Sequence, residues 1–208
     1  ITTLSNTGST VLTGSNTVHT VTNTGTSAEE LAVIEANGIN TFEDSVTNNS
    51  YGIMNLNGET TFNTDITNNI NAQINSANDE NGTSITFKNI QNNGTINLQT
   101  STNNIDELNN HGSVTTANST TFNNEVISEG TTTASASVTT NGTTQFKDSV
   151  SNKQYSTLTT NGATTFDKDI TTFHLQLKPG QECNVDYYDE FFKDTKNDFL
   201  EYFPKFLF

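Results

Sequence analysis

The most constraining feature of this chain is a unit that returns along its length: Asn-Gly-x-Thr-Thr-Phe, three further residues, then Ile or Val. It reads Asn37-Gly38-Ile39-Asn40-Thr41-Phe42 with Val46, and Asn57-Gly58-Glu59-Thr60-Thr61-Phe62 with Ile66. It returns as Asn141-Gly142-Thr143-Thr144-Gln145-Phe146 with Val150, and as Asn161-Gly162-Ala163-Thr164-Thr165-Phe166 with Ile170. Looser copies run from Asn81-Gly82 to Phe87 and Ile90, and from Ser119 to Phe122 and Val126; Asn93-Gly94-Thr95-Ile96-Asn97-Leu98 is partial. Successive Phe residues stand 20 to 25 apart where copies adjoin, and Leu98 is taken to divide the long gap from Phe87 to Phe122. A one-directional repeat of this length is the signature of stacked coils, each burying its apolar face only against its neighbours.

Within a coil, side chains of a strand alternate between faces. Phe42, Phe62, Phe87, Phe122, Phe146 and Phe166 then form one inward column, and Val46, Ile66, Val126, Val150 and Ile170 a second. Met54, Ile74 and Leu158, each 12 residues after its Phe, mark a third. Three inward columns predict an all-β, three-sided parallel β-helix of roughly 20–25 residues per coil over residues 1–172. The first 36 residues are read as one or two leading coils, with Ser27–Ile34 open to strand or helical turn. The Asn-Gly pairs are expected at one shared corner, with glycine accepting positive φ and stacked asparagines bonding along the axis. The competing reading, antiparallel hairpins turning at Asn-Gly, does not account for a unit that repeats in one direction.

Composition agrees with a thin core. Only 30% of the residues are hydrophobic and Trp is absent. Disordered chains are usually rich in Pro, Glu and Lys; this one has 2 Pro and is dominated by Thr, a strand former, and Asn, a turn former. A formal net charge of −15 without any Arg argues against nucleic acid, phosphate-bearing cofactors and anionic membranes. No apolar run reaches the length of a membrane-spanning helix. The single cysteine, Cys183, closes no disulfide within the chain. The uncharged start, Ile1-Thr2-Thr3-Leu4, is compatible with a mature N-terminus or a chain boundary.

Composition changes after Thr172. Residues 173–208 carry Pro179-Gly180 and then Tyr187, Tyr188, Phe191, Phe192, Phe199, Tyr202 and Phe203, spaced for one face of an amphipathic helix. The expected role is a cap on the last coil or an interface to another copy.

The Asn-Gly-x-Thr-Thr-Phe coils, over about residues 36 to 172, resemble passenger-domain repeats of bacterial autotransporters and of filamentous-haemagglutinin-type adhesins. That resemblance implies a right-handed parallel β-helix displayed on a cell surface, serving adhesion or forming a fibre. Phage tailspikes share this fold. The expected function is a non-enzymatic extracellular spacer or fibre subunit, its partners being copies of itself or cell-surface glycans or proteins. A polysaccharide-binding or polysaccharide-degrading β-helix protein is the alternative.

Candidate sites are few. Carboxylates follow each Phe: Glu43, Asp44, Asp65, Glu125, Asp148, Asp167 and Asp169. Convergent carboxylates would bind calcium, for which Asp44, Asp65, Asp148 and Asp169 are the candidates, or form a glycosidase pair. The simpler reading is a solvated acidic face that blocks lateral sheet association. His19, His111 and His174 are too dispersed for zinc, and no cofactor is expected. An outward threonine column before each Phe invites comparison with ice-binding faces, but the companion column is mixed. Sequons at Asn48, Asn81, Asn93, Asn118 and Asn141 are what so Asn- and Thr-rich a chain contains by chance.

Overall fold

Short runs that alternate Val, Ile or Phe with Thr and Asn, broken every few residues by Gly or Asn, favour brief strands with one buried and one wet face. The computed structural model describes residues 1–77, 79–172 and 175–177. These residues form strands and no helix, wound into a β-solenoid of about eight turns. Every strand pairing among them is parallel.

Each coil has three faces. In the coil from Ile39 to Leu56, strand Ile39–Asn48 bends round one corner and so supplies the first and second faces, while Gly52–Leu56 supplies the third. Other coils split the long strand, as in Thr60–Phe62 and Ile66–Asn68 followed by Gln73–Ser76. The first two faces belong to a 13-stranded sheet and the third is a 9-stranded sheet.

The first-face column is aromatic. Phe42 and Phe62 stack with ring centroids 4.7 Å apart, Phe62 and Phe87 at 4.9 Å, Phe122 and Phe146 at 4.7 Å, and Phe146 and Phe166 at 4.8 Å. These rings are almost wholly buried. Burial of each gives about 1.5–3 kcal/mol, and each stacked pair adds about 0.5–1.5 kcal/mol. Val18 begins the column opposite Phe42, and Ile105 fills the place between Phe87 and Phe122. Leu98 therefore does not divide that gap; it lies on the third face, opposite Thr116. The second column runs Leu4, Val21, Val46, Ile66, Ile90, Leu108, Val126, Val150, Ile170, and the third Ile34, Met54, Ile74, Ile96, Val114, Val138, Leu158. The third face continues into Leu175–Leu177, past the boundary read from composition at residue 172.

The corner between the second and third faces holds the main polar feature of the interior. Asn6, Asn23, Asn48, Asn68, Asn92 and Asn110 are buried one above another. Each Nδ2 donates to the next Oδ1 at 2.8–2.9 Å, from Asn6 through to Asn110. The column ends as Asn110 Nδ2 donates to Ser128 Oγ at 3.1 Å. The same amides reach backbone carbonyls, as in Asn48 Nδ2 to Gln73 O at 2.9 Å. An amide carries both donor and acceptor, so identical side chains stacked in register satisfy one another and clamp the turn. At the start of the column Asn6 Oδ1 has no preceding amide; Thr10 Oγ1 donates to it at 2.9 Å. Thr10 sits opposite Ile34, in the column that elsewhere carries Ile, Met, Val or Leu.

The Asn-Gly pairs at 37, 57, 141 and 161 share the corner between third and first faces, where exposed Asn57 donates to Asn37 at 2.9 Å and Asn161 to Asn141 at 2.8 Å. Asn93-Gly94 turns the other corner, after the buried Asn92. Positive φ explains Gly38 (84°), but Gly58 is needed for closeness: a Cβ there would fall 2.0 Å from Gly38 O.

The solenoid is also duplicated at a longer period. Residues 32–68 return 104 positions later as 136–172, with Ala32, Asn37, Gly38, Phe42, Asp44, Ser45, Val46, Asn48, Tyr51, Asn57, Gly58, Phe62, Asp65 and Ile66 all matched in kind. Leu4, Asn6 and Gly8 match Leu108, Asn110 and Gly112 in the same places of their coils. The unit of duplication is about five coils.

Candidate functional site

The carboxylates singled out in the sequence stand on the corner between first and second faces, where the chain bends after each inward Phe. They form a ridge and do not converge. Asp44 Oδ2 lies 3.1 Å from His19 Nδ1. Asp65 Oδ1 accepts from Asn89 Nδ2 at 2.9 Å, and Glu43 from Asn63 at 3.1 and 3.2 Å. Asp148 Oδ1 is 3.1 Å from Lys168 Nζ, one coil on. Asp148 also accepts from its neighbour's backbone, Ser149 N, at 2.7 Å. That N–H first, and the Lys168 ammonium second, hold the Asp148 carboxyl below its usual value.

Among the described residues no cluster of His, Cys, Asp and Glu has the makings of a metal site. The calcium candidates Asp44, Asp65, Asp148 and Asp169 are thus separated along the ridge, each facing solvent or a neighbour's imidazole, amide or ammonium group. The geometry keeps a charged, screened edge in water; such exposed pairs contribute little to stability. His111 Nδ1 is 3.1 Å from Gln91 Nε2, a contact between adjacent coils. The expected interface residues Tyr187, Tyr188, Phe191, Phe192, Phe199, Tyr202 and Phe203, like Cys183 and His174, lie outside the described residues. Asn48, the head of one sequon, is fully buried in the amide column, so that sequon is closed to modification in the folded chain.

Sequence reasoning missed the opposite corner, between second and third faces. Two coils carry long loops there, after Asn23 and after Ser128, and each overlies a tyrosine of the next coil, Tyr51 and Tyr155. Beside Tyr51 lies an open dish of about 410 Å³, lined by Ala28, Leu31, Ala72, Asn71, Gln73 and Thr95. The signal was present: Tyr51 and Tyr155 are the tyrosines of the coil region and stand 104 residues apart.

Compared with known proteins, the chain matches no family model, no curated protein and no solved structure.

Proposed function

We propose that this chain is a non-enzymatic structural protein of the extracellular space or cell surface, a rigid spacer or fibre subunit with adhesive capacity of the β-helix adhesin type. One observation carries the reading. Parallel ladders run unbroken from Leu4 to Ile170, and the buried amides of the interior are spent on holding coil to coil. Eight coils at about 4.8 Å make a rod of very roughly 40 Å. Its partners are further copies, or cell-surface glycans or proteins.

Self-assembly is compatible with the leading coil, in which no Asp, Glu, Lys or Arg lies between Thr2 and Val21. Unpaired edges template strand addition, and a head-to-tail contact that does not close grows a filament.

Negative-stain electron microscopy of the full chain, beside a version ending at Thr172, tests this. Filaments lost on truncation support a fibre joined through the aromatic segment. Isolated short rods in both samples remove the fibre and leave a spacer, and particles that are not rods contradict the structural reading. A screen on neutral and acidic glycans tests the absence of catalysis. Turnover abolished by Asp148→Asn or Asp169→Asn would make the chain a polysaccharide-degrading enzyme instead.

A further inference from the structure

Two tyrosines stand where tyrosine is least suited. Tyr51 and Tyr155 occupy the turn from second to third face, and both hold left-handed backbone, with φ of 61° and 53°. One coil after Tyr51 the same turn is made by Asn71, φ 61°. Asparagine tolerates that conformation, whereas a bulky L-residue is strained in it. The strained choice is made twice, at matching positions of the duplicated halves. Strain of this kind persists where a side chain is needed for something other than folding.

Neither ring is taken into the core. Tyr155 is 53% exposed and Tyr51 is partly exposed. The loop above each is reproduced in backbone detail. Gly25 N donates to Ser50 O at 3.2 Å, and Gly130 N to Gln154 O at 3.0 Å. A Cβ on Gly25 would fall 2.4 Å from Tyr51 O, and one on Gly130 2.1 Å from Tyr155 O. What is repeated is a loop fitted over a tyrosine.

Charge near the rings is acidic or paired: Glu29 and Glu30 lie in the loop over Tyr51, and two residues before Tyr155 the Lys153 Nζ is 3.3 Å from Glu129. The dish beside Tyr51 combines the apolar Ala28, Leu31 and Ala72 with the amides of Asn71 and Gln73 and the Thr95 hydroxyl. The outward positions of the adjoining third face begin with Val11, Val33 and Ile53 and continue in Ser, Thr, Asn and Gln. Their one carboxylate, Glu35, accepts from Asn55 and Asn57, both at 2.7 Å.

We propose that Tyr51 and Tyr155 are the anchor rings of a ledge that binds a neutral polysaccharide along the solenoid axis. The proposal rests on the adhesive reading above and names the ligand class for it. A sugar ring offers an apolar C–H face, which lies on an aromatic ring, and a rim of hydroxyls, which pairs with amides and hydroxyls. Tyrosine supplies an amphipathic contact of this kind. The acidic balance of the chain, and the pairing of Lys153 near Tyr155 with Glu129, disfavour anionic glycans. The rings stand five coils apart, about 24 Å along the axis. A chain long enough to reach both makes its second contact intramolecularly.

The test is affinity electrophoresis in native gels containing a neutral β-glucan, a mannan or a galactan, with polygalacturonate as the anionic counterpart. The variants are Tyr51→Asn, Tyr155→Asn and the double, since Asn71 shows that the turn accepts asparagine. The expected result is retardation by at least one neutral polymer and none by polygalacturonate. Each single variant should weaken retardation about tenfold, and the double should abolish it. Thermal midpoints should stay level or rise, because strain is relieved. Retardation by no neutral polymer, or retardation untouched in the double variant, overturns the proposal. Falling midpoints in the variants would mark the rings as packing groups and overturn it equally. Small-angle X-ray scattering on the same samples reads the rod separately: a preserved rod without binding removes the ledge and leaves the structural function standing.

Discussion

The buried asparagine column makes a quantitative demand on stability. Asn48 donates to Gly52 O at 3.2 Å, Gln73 O at 2.9 Å and Asn68 Oδ1 at 2.9 Å, and it accepts from Asn23 at 2.9 Å. Leucine has nearly the shape of asparagine, so Asn48→Leu leaves little cavity and reports on the polar groups. It strips Asn68 Oδ1 and Gln73 O of this donor inside the protein. Each buried acceptor left unpaired costs about 1–3 kcal/mol, against about 1 kcal/mol regained from the apolar side chain, for a net loss of about 3 kcal/mol. Asn68→Leu should cost less, because Asn92 Oδ1 keeps its bond from Gly94 N at 3.2 Å when the Asn68 amide is lost. The pair shares one hydrogen bond, which the double variant loses once and not twice. The double should therefore fall short of the sum by about 1–2 kcal/mol. Urea unfolding followed by circular dichroism reads each midpoint at constant slope. A loss under about 0.5 kcal/mol for Asn48→Leu, or strict additivity in the double, would refute the column as a structural element.

Phe146→Ala removes a ring stacked on both sides and should destabilise by about 3–5 kcal/mol in the same assay. Thr140→Val should stabilise by about 1 kcal/mol, because the Thr140 hydroxyl is buried without a partner and valine keeps the shape. Gly142→Ala places a Cβ 1.8 Å from Asn118 O and should cost about 1–3 kcal/mol. The Asp148 carboxyl should titrate below 3.8 by NMR, and Lys168→Met should raise it only part of the way, since Ser149 N still donates. A lowered folded value contributes stability that is present above the ordinary carboxylate range and is lost as pH falls through the folded value; Asp148 faces solvent, so the loss is small.

Much of this architecture was legible because its repeats are carried by large side chains. Phe residues 20 to 25 apart, with Met54, Ile74 and Leu158 at constant offset, announce three inward columns. Ile105 escaped because its coil substitutes a smaller apolar residue only 18 positions after Phe87, in the shortest stretch of the solenoid. The amide column escaped for a different reason. Asparagine occurs throughout this chain as a turn former, so the buried members, each two residues after the second-column aliphatic, had no composition of their own to mark them. The Asn-Gly corner was legible, its asparagines bonded along the axis, but it drew attention away from the buried column, and at Gly58 the need is for closeness and not for positive φ. The carboxylate ridge was legible as a ridge, but only register could show that its members pair with amides or lysine in adjacent coils. The tyrosine corner needed backbone angles, which no side-chain pattern reports.

The central claim, a parallel stack in register, is tested most directly by one distance. Thr22, Thr47, Thr67, Gln91, Asn109, Ile127 and Ser151 face outward in one column, joined step by step through the register of adjacent coils. Spin labels at Thr22→Cys and Ser151→Cys, with Cys183→Ser to remove the native thiol, are separated by six coil steps. Double electron–electron resonance should give one narrow distribution near 29 Å, from about 4.8 Å per step. A broad distribution, or a centre displaced by more than about two coil steps (roughly 10 Å), would contradict the stack.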